Sequence, residues 1–479
     1  MTIPGSTQLS SEDRIGECLL RQANVSEGLD RTGSEISNSE LKLLMIAYSF
    51  PPDSEVGARR VAGLCRYLPE FGIRPIVLTV EERFYSRLDP GFSPPDELQI
   101  ERTRVMTTPL EAYARWKHRR GLSEGRPDDR PPGEGTNGVG TSAYKRQILA
   151  LLKTPDEFFG WYAPAVRAGM RLVAQSPINA ILSSAPPWTS HLIACKLAGR
   201  SGRPWFADFR DPWWGNPHRR ALPKWRDPVD RWLEARCIRT ATRVVCNTDR
   251  MRQFYADRYK DNPATKFFTL PNGYDDFARP SPGERTDSRR LILYLGDIYG
   301  TRRIDSFCDA VVQLVETERL DPLTIRILFL GTIAQEQLAD ARRRVANLLP
   351  FGCIEFRPRI SWDAAQKALW SADLLLLFPE FRMQVPAKFF EYLHTGKPVL
   401  AVAEEGALTD LIQETQAGIW CDPSDTKSIG NALLRALELP ARAPEEAARH
   451  FSGHHYRAIA RQLAAKLRQV IAETGSQER

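Results

Sequence analysis

Short apolar runs recur along the chain, separated by stretches in which apolar and polar residues follow a helical period. Leu41–Tyr48, Arg74–Thr79, Ala180–Ser184, Pro204–Asp208, Arg243–Asn247 and Lys266–Leu270 are such runs in the first half. Leu291–Gly296, Thr324–Gly331, Cys353–Phe356, Leu374–Phe378, Val399–Val402 and Gly418–Cys421 follow in the second. Runs this short, bounded by turn residues, read as strands buried on both faces, the habit of parallel sheets. Helical patterns lie between them, among them Ala58–Phe71, a segment opening at Gly160, Trp188–Gly199 and Asp227–Thr240. Strand and helix in alternation form βαβ units. A further strand is predicted over Glu101–Thr107.

Residues 275–289, rich in Asp, Arg, Pro and Ser, separate the two series and read as an interdomain linker. The fold class is therefore α/β, with two Rossmann-like domains, 41–280 and 288–440, facing each other across a cleft. Residues 441–479 read as one or two terminal helices between Glu445 and Ala472. Residues 1–40 are polar and read as a disordered leader. An insertion at about 110–145, poor in apolar residues, reads as a long loop. Its Trp116-Lys-His-Arg-Arg120 cluster reads as a solvated surface rather than a lipid contact.

The chain is organised around Val385–Val402, a helix, turn and strand that follow the apolar run Leu374–Phe378. Pro386 suits a first helical turn, Gly396 a C-terminal stop, and Pro398 a fresh start beyond it. Lys388, Glu391, Tyr392 and Thr395 fall on one helix face, with Phe389, Phe390 and Leu393 toward the core. Such a polar face beside the strand ends of an α/β sheet is placed to hold a polar ligand. The loop Gly296-Asp-Ile-Tyr-Gly-Thr-Arg-Arg303 follows the first strand of the second domain. Gly296 permits close backbone approach, and a helix expected to begin near Thr301 would bring its positive end to Arg302 and Arg303. That combination suits a diphosphate, through Arg302 or Arg303.

In the first domain, Asp208-Phe-Arg-Asp-Pro-Trp-Trp214 sits at a strand end. Asp208 and Asp211 are candidates to assist an acceptor hydroxyl. Arg210, Trp213 and Trp214 would line the acceptor side, together with Gly57 after the first strand. His191, near the start of the Trp188 helix, is a candidate donor to a sugar hydroxyl or phosphate, although a lone histidine is more often structural.

Charge narrows the partners. A net charge of +7 over 479 residues points to nucleotide diphosphates or an acidic membrane surface. It is too diffuse to argue for nucleic acid. No run of eighteen apolar residues occurs, so no membrane-spanning helix is predicted, and the polar start is not a secretory signal. Eight scattered cysteines without a C-x-x-C suit buried thiols in a reducing cytosol. His450 and His454 are four apart, but Gly453 interrupts their helix and no Glu follows His450, so no metal site is expected.

The stretch from Pro386 to Leu400 resembles the nucleotide-sugar signature of family-four glycosyltransferases of the GT-B fold. Phe50 to Arg60 is similar to the opening of many of these enzymes, with a Phe-Pro-Pro loop, a Gly and an Ala-Arg-Arg helix. Asp-Phe-Arg-Asp-Pro-Trp, residues 208–213, recurs in a bacterial subset. The resemblance implies transfer of a sugar from a nucleoside-diphosphate sugar to a hydroxyl, with retention and with no metal or other cofactor. It implies a surface polysaccharide or lipid-linked saccharide as acceptor, and a cytoplasmic protein in peripheral contact with the inner face of the cell membrane. It assigns Glu391 to the ribose hydroxyls and a basic residue of the Gly296 loop to phosphate, beside Lys388. It also implies that a terminal helix returns across the first domain. Many members carry a glutamate eight residues before the one matching Glu391, but Met383 stands there and Glu380 is out of register. The donor-sugar contact therefore differs. A non-catalytic nucleotide binder on the same fold and a GT-B nucleotide-sugar epimerase are the rival readings. The Asp208–Trp214 loop weighs for the transferase, since an acceptor site has no purpose in a nucleotide binder.

Overall fold

The computed structural model describes residues 40–106, 147, 150–151, 153–216, 223–277, 279, 287–300 and 302–477. The expected leader, except for residue 40, and the insertion with its Trp116–Arg120 cluster lie outside the described residues.

The apolar runs form two all-parallel sheets. The first contains β1 (Leu41–Ile46), β2 (Ile73–Val80), β3 (Gln99–Thr103), β4 (Ile178–Ala185), β5 (Trp205–Phe209), β6 (Arg243–Cys246) and β7 (Phe267–Thr269). Its order is β3-β2-β1-β4-β5-β6-β7. The second contains β8 (Arg290–Leu295), β9 (Ile325–Leu330), β10 (Ile354–Arg357), β11 (Leu374–Leu377), β12 (Val399–Val402) and β13 (Gly418–Cys421), ordered β10-β9-β8-β11-β12-β13. Each is the doubly wound order, reversing direction between β1 and β4 and between β8 and β11. Crevices open at such reversals, outside the carboxyl ends of the strands.

The first half carries α1 (Val56–Tyr67), α2 (Tyr162–Gln175), α3 (Thr189–Ser201), α4 (Arg226–Thr240) and α5 (Asp249–Arg258). The second carries α6 (Asp305–Glu316), α7 (Gln335–Arg344), α8 (Trp362–Ser371), α9 (Ala387–Thr395), α10 (Ala407–Thr415), α11 (Thr426–Glu438), α12 (Pro444–His450) and α13 (Tyr456–Gln477). Helices α2 to α5 cover one face of the first sheet, and α1 with α13 covers the other. Among the described residues, no helix is long and apolar enough to cross a membrane.

Three expectations change. The strand expected over Glu101–Thr107 is β3, Gln99–Thr103. The helix expected near Thr301 begins at Asp305, so Arg302 and Arg303 belong to the loop before it. On α9 the partly exposed positions are 387, 388, 391 and 394, whereas Tyr392 and Thr395 are buried. The tyrosine hydroxyl faces inward, where it accepts from the Leu295 N–H at 3.3 Å.

Residues 441–477 divide between the two domains. Ala447 of α12 and the following Phe451 pack with Phe390 and Leu393 in the second domain. Helix α13 crosses back and buries Ile459, Leu463, Leu467 and Val470 against Leu43, Val61 and Leu64. The two crossings of the chain bond side by side, Tyr274 N to His454 O at 3.1 Å and Tyr456 N to Tyr274 O at 2.9 Å. Full burial of four such side chains contributes about 6–12 kcal/mol. That is comparable with the net stability of a whole domain, so the first domain depends on the last helix. Leu463→Asp should lower stability by at least about 3 kcal/mol, whereas Arg461→Ala on the exposed face should change it by less than about 0.5 kcal/mol. Denaturant titration of the two variants checks the contrast.

Candidate active site

At the reversal of the second sheet, two glycines let chain segments meet. Gly296 follows β8 with φ +137°, and a Cβ there would strike the Lys388 ammonium. Gly331 follows β9 with φ +151°, and a Cβ there would strike the Gly296 carbonyl. Lys388 stands in the first turn of α9, half-buried, with Nζ 3.2 Å from the Tyr294 hydroxyl and 4.3 Å from the centre of its ring. Loss of water, and then the Arg302 guanidinium, push the Lys388 pKa down to about 7.

Arg302 reaches from the loop after β8 to the end of β11. It is 8% exposed, and its Nε donates to the Phe378 carbonyl at 2.8 Å. Its Nη2 lies 3.7 Å from Glu380 Oε1. Arg303 turns outward and pairs with Asp305 at 2.9 Å. The pair left open by the sequence thus divides: Arg302 joins Gly296 and Lys388 in the cleft, and Arg303 lies at the surface.

Glu391 is one helical turn beyond Lys388. Its Oε1 accepts from Arg59 Nη1 of α1 at 2.5 Å, across the cleft, and the Arg59 guanidinium lies 3.7 Å above the Trp362 ring. Arg87 of the first domain stands 3.8 Å from Asp297 Oδ2, which also pairs with Arg359. Sequence reasoning had not singled out Arg59, Arg87, Arg359, Asp297 or Trp362, and had set Glu380 aside for its register. Asp297 and Arg359 lie in strand-end loops, the available signal. Arg59 and Arg87 could be found only through the approach of the two domains.

On the first-domain side, a Cβ on Gly57 would strike the Arg210 guanidinium, so α1 starts hard against that side chain. Arg210 follows β5, and its Nε donates to the Ala185 carbonyl at the end of β4 at 3.3 Å. Gly57 and Arg210 therefore meet at the reversal between β1 and β4. Asp53 stands beside them, 2% exposed, its carboxyl pushed up to about 6 by loss of water. Asp211, half-buried, follows Arg210.

Three of the other candidates are corrected. Asp208 is 1% exposed and takes two bonds from Arg60, Nε to Oδ2 at 2.9 Å and Nη2 to Oδ1 at 2.8 Å. Ser184 donates to the same carboxylate at 2.8 Å, so Asp208 is an internal anchor rather than an acceptor-facing group. His191 is fully buried, with Nδ1 2.8 Å from Ser183 Oγ and its ring 4.3 Å from that of Phe209. Burial drives its pKa down to about 3, so it is a neutral core histidine. Trp213 is buried and stacks on Trp188 at 5.1 Å, which removes it from any sugar-facing wall. Trp214 is half-buried, with Arg258 4.0 Å and Arg231 5.0 Å from its ring.

Two family models divide the chain as the sheets do. "Glycosyl transferase 4-like domain" matches residues 57–273 and "Glycosyl transferases group 1" matches residues 289–439. The chain belongs to the family-four glycosyltransferases of the GT-B fold. Among solved structures, sucrose-phosphate synthase from Thermosynechococcus elongatus is similar at 16% identity and a TM-score of 0.61, over 90% of this chain and 100% of that one. HepE from Anabaena, solved with UDP-glucose, is similar at 14% identity and 0.52, over 91% and 100%. WaaG, described as a glycosyltransferase involved in lipopolysaccharide biosynthesis, is similar at 14% identity and 0.54, over 89% and 99%. No curated protein matches.

In this glycosyltransferase, five basic side chains (Arg59, Arg87, Arg302, Arg359 and Lys388) meet three carboxylates (Asp297, Glu380 and Glu391) about one cleft. Among the described residues, no group of three His, Cys, Asp or Glu side chains is placed to hold a metal ion. Asp208→Ala should unfold the enzyme more readily, by about 3–5 kcal/mol, because it leaves the buried Arg60 unpaired. A variant with unchanged denaturation midpoint but lost turnover would return Asp208 to the reacting groups.

Proposed function

We propose that the enzyme transfers a sugar from a nucleoside-diphosphate sugar to a hydroxyl of a surface polysaccharide or lipid-linked saccharide. The reaction proceeds with retention and without a metal ion, at the cytoplasmic face of the membrane. One observation carries the donor reading. Lys388 meets Gly296 and Arg302 at the sheet reversal, and Glu391 follows one turn along α9. The first group suits a diphosphate, and the carboxylate suits vicinal ribose hydroxyls. The UDP-glucose of the HepE structure and the lipopolysaccharide pathway of WaaG support the donor and acceptor classes.

As the bond from the sugar to the diphosphate breaks, negative charge grows on the departing oxygen. Arg302, and Lys388 once the diphosphate holds it charged, are cations beside that position, and preorganised groups of this kind commonly lower a barrier by about 3–4 kcal/mol each. The acceptor enters from the first domain, beside Gly57 and Arg210, with Asp211 as the nearby carboxylate. A panel of UDP-, GDP- and ADP-sugars tests the reading through protection against thermal unfolding and release of nucleotide. One of them should do both, and failure of the whole panel would overturn the donor assignment. Turnover should also persist in excess EDTA. Loss that magnesium or manganese restores would refute the metal-free route.

Lys388 adds a pH signature. Its pKa of about 7 leaves it partly uncharged near neutrality, and a bound diphosphate favours the charged form. Affinity for the nucleotide should be greatest below pH 7 and fall as pH rises through the higher pKa of the bound state. Between the two values, binding takes up a proton. Calorimetry at pH 8 in buffers of different ionisation heat should detect that uptake, and Lys388→Met should abolish it.

A further inference from the structure

The cleft already holds an occupant. Arg59 projects from α1 into the second domain and satisfies two groups at once. Its Nη1 lies 2.5 Å from Glu391 Oε1, and its guanidinium carbon lies 3.7 Å from the centre of the Trp362 ring. It therefore lays a flat cation on an aromatic face while its Nη1 donates to a carboxylate. A nucleoside offers the same two features: a flat base that stacks, and hydroxyl donors on the adjoining ribose. The groups also follow in the order such a ligand needs. Trp362 would take the base, Glu391 the ribose, and Lys388 with Arg302 the diphosphate. A cavity of about 280 Å³ runs along Arg59, Trp362, Ala387, Glu391 and Phe277. That is at the small end for a small-molecule site with the Arg59 side chain in place.

We infer that Arg59 occupies the nucleoside position of the ligand-free enzyme, and that Trp362 is the face taken over by the donor base when Arg59 leaves. The inference rests on the nucleotide-sugar reading above. Arg59 is then a gate: it ties the domains together, and the donor must break that tie to enter. The next residue on α1, Arg60, is pinned to Asp208 and to the Leu270 and Pro271 carbonyls, so the helix stays while the Arg59 side chain swings out. The donor thereby exchanges a contact between domains for contacts of its own, which couples its binding to their approach.

The test is calorimetric titration with UDP, GDP and ADP of the whole enzyme, Arg59→Ala, Arg59→Gln, Trp362→Ala and the Arg59→Ala/Trp362→Ala pair, with folding checked by circular dichroism. Removing a cation from an anion site would ordinarily weaken binding. Here both Arg59 variants should bind the preferred nucleotide about three- to tenfold more tightly, the combined loss of an ion pair and a cation–π contact. Trp362→Ala should weaken it by about fivefold or more in the Arg59→Ala background. Weaker or unchanged binding by both Arg59 variants, with wild-type binding intact, overturns the gate alone. Unchanged affinity on removing Trp362 overturns the stacking face. If the wild type binds no nucleotide, the donor reading falls and the gate falls with it.

Discussion

Arg60 is 1% exposed, and both oxygens of Asp208 hold it, with the Leu270 and Pro271 carbonyls and the Asn272 side-chain oxygen taking its remaining donors. A charge this deep is tolerable only when it is paired and its donors are filled. The pair joins α1 to the end of β5, and through Ser184 to β4. Such a contact adds little net stability over a well-packed apolar alternative, but it permits few other arrangements. Its consequence is positional. With α1 pinned by Arg60, Gly57 is pressed against Arg210, and Arg59 is carried into the cleft. The Gly57–Arg210 contact and the inter-domain tie both depend on one buried guanidinium.

The cleft itself is an electrostatic compromise. Cations brought together here lose water and repel one another, and both effects lower the pKa of Lys388. Asp297, Glu380 and Glu391 offset part of that cost in the ligand-free state. Two of these ties, Arg59 to Glu391 and Arg87 to Asp297, run between domains. Thr248 adds a third contact, donating to the Met383 carbonyl at 3.0 Å, and Arg250 pairs with Asp410. These contacts are polar and partly exposed, the kind that permits domains to move relative to one another. The α13 crossing is different: it is apolar and belongs to the first domain's core, so it marks where motion is limited.

Local pattern was enough for much of this. Apolar runs between turn residues report buried parallel strands directly, so Val399–Val402 and Gly418–Cys421 were legible to the residue. Pro386 and Gly396 bound α9 because each acts through its own backbone, and Gly396 is left-handed at φ +67°. Helix α5 was missed because its polar sequence shows little amphipathic signal, and only Met251 and Tyr255 are buried.

What the sequence left open were choices between neighbours of similar chemistry. Arg302 enters the cleft and Arg303 leaves it; Arg60 is internal and Arg59 faces the other domain; Trp213 is core and Trp214 is partly exposed. Adjacent helix positions differ by about 100° in direction, and a loop sets no period at all. A one-residue difference therefore reverses a side chain's surroundings without changing the composition that sequence reasoning reads. The same limit made Asp208 resemble a reacting carboxylate. Its partner Arg60 lies 148 positions away in the chain, and a buried pair so distant is created only when the sheet closes on α1. The strands, most of the helices and the presence of basic groups at the strand ends were determined by the sequence alone. Which of those groups face it was decided by tertiary packing, because burial and long-range pairing belong to the folded chain.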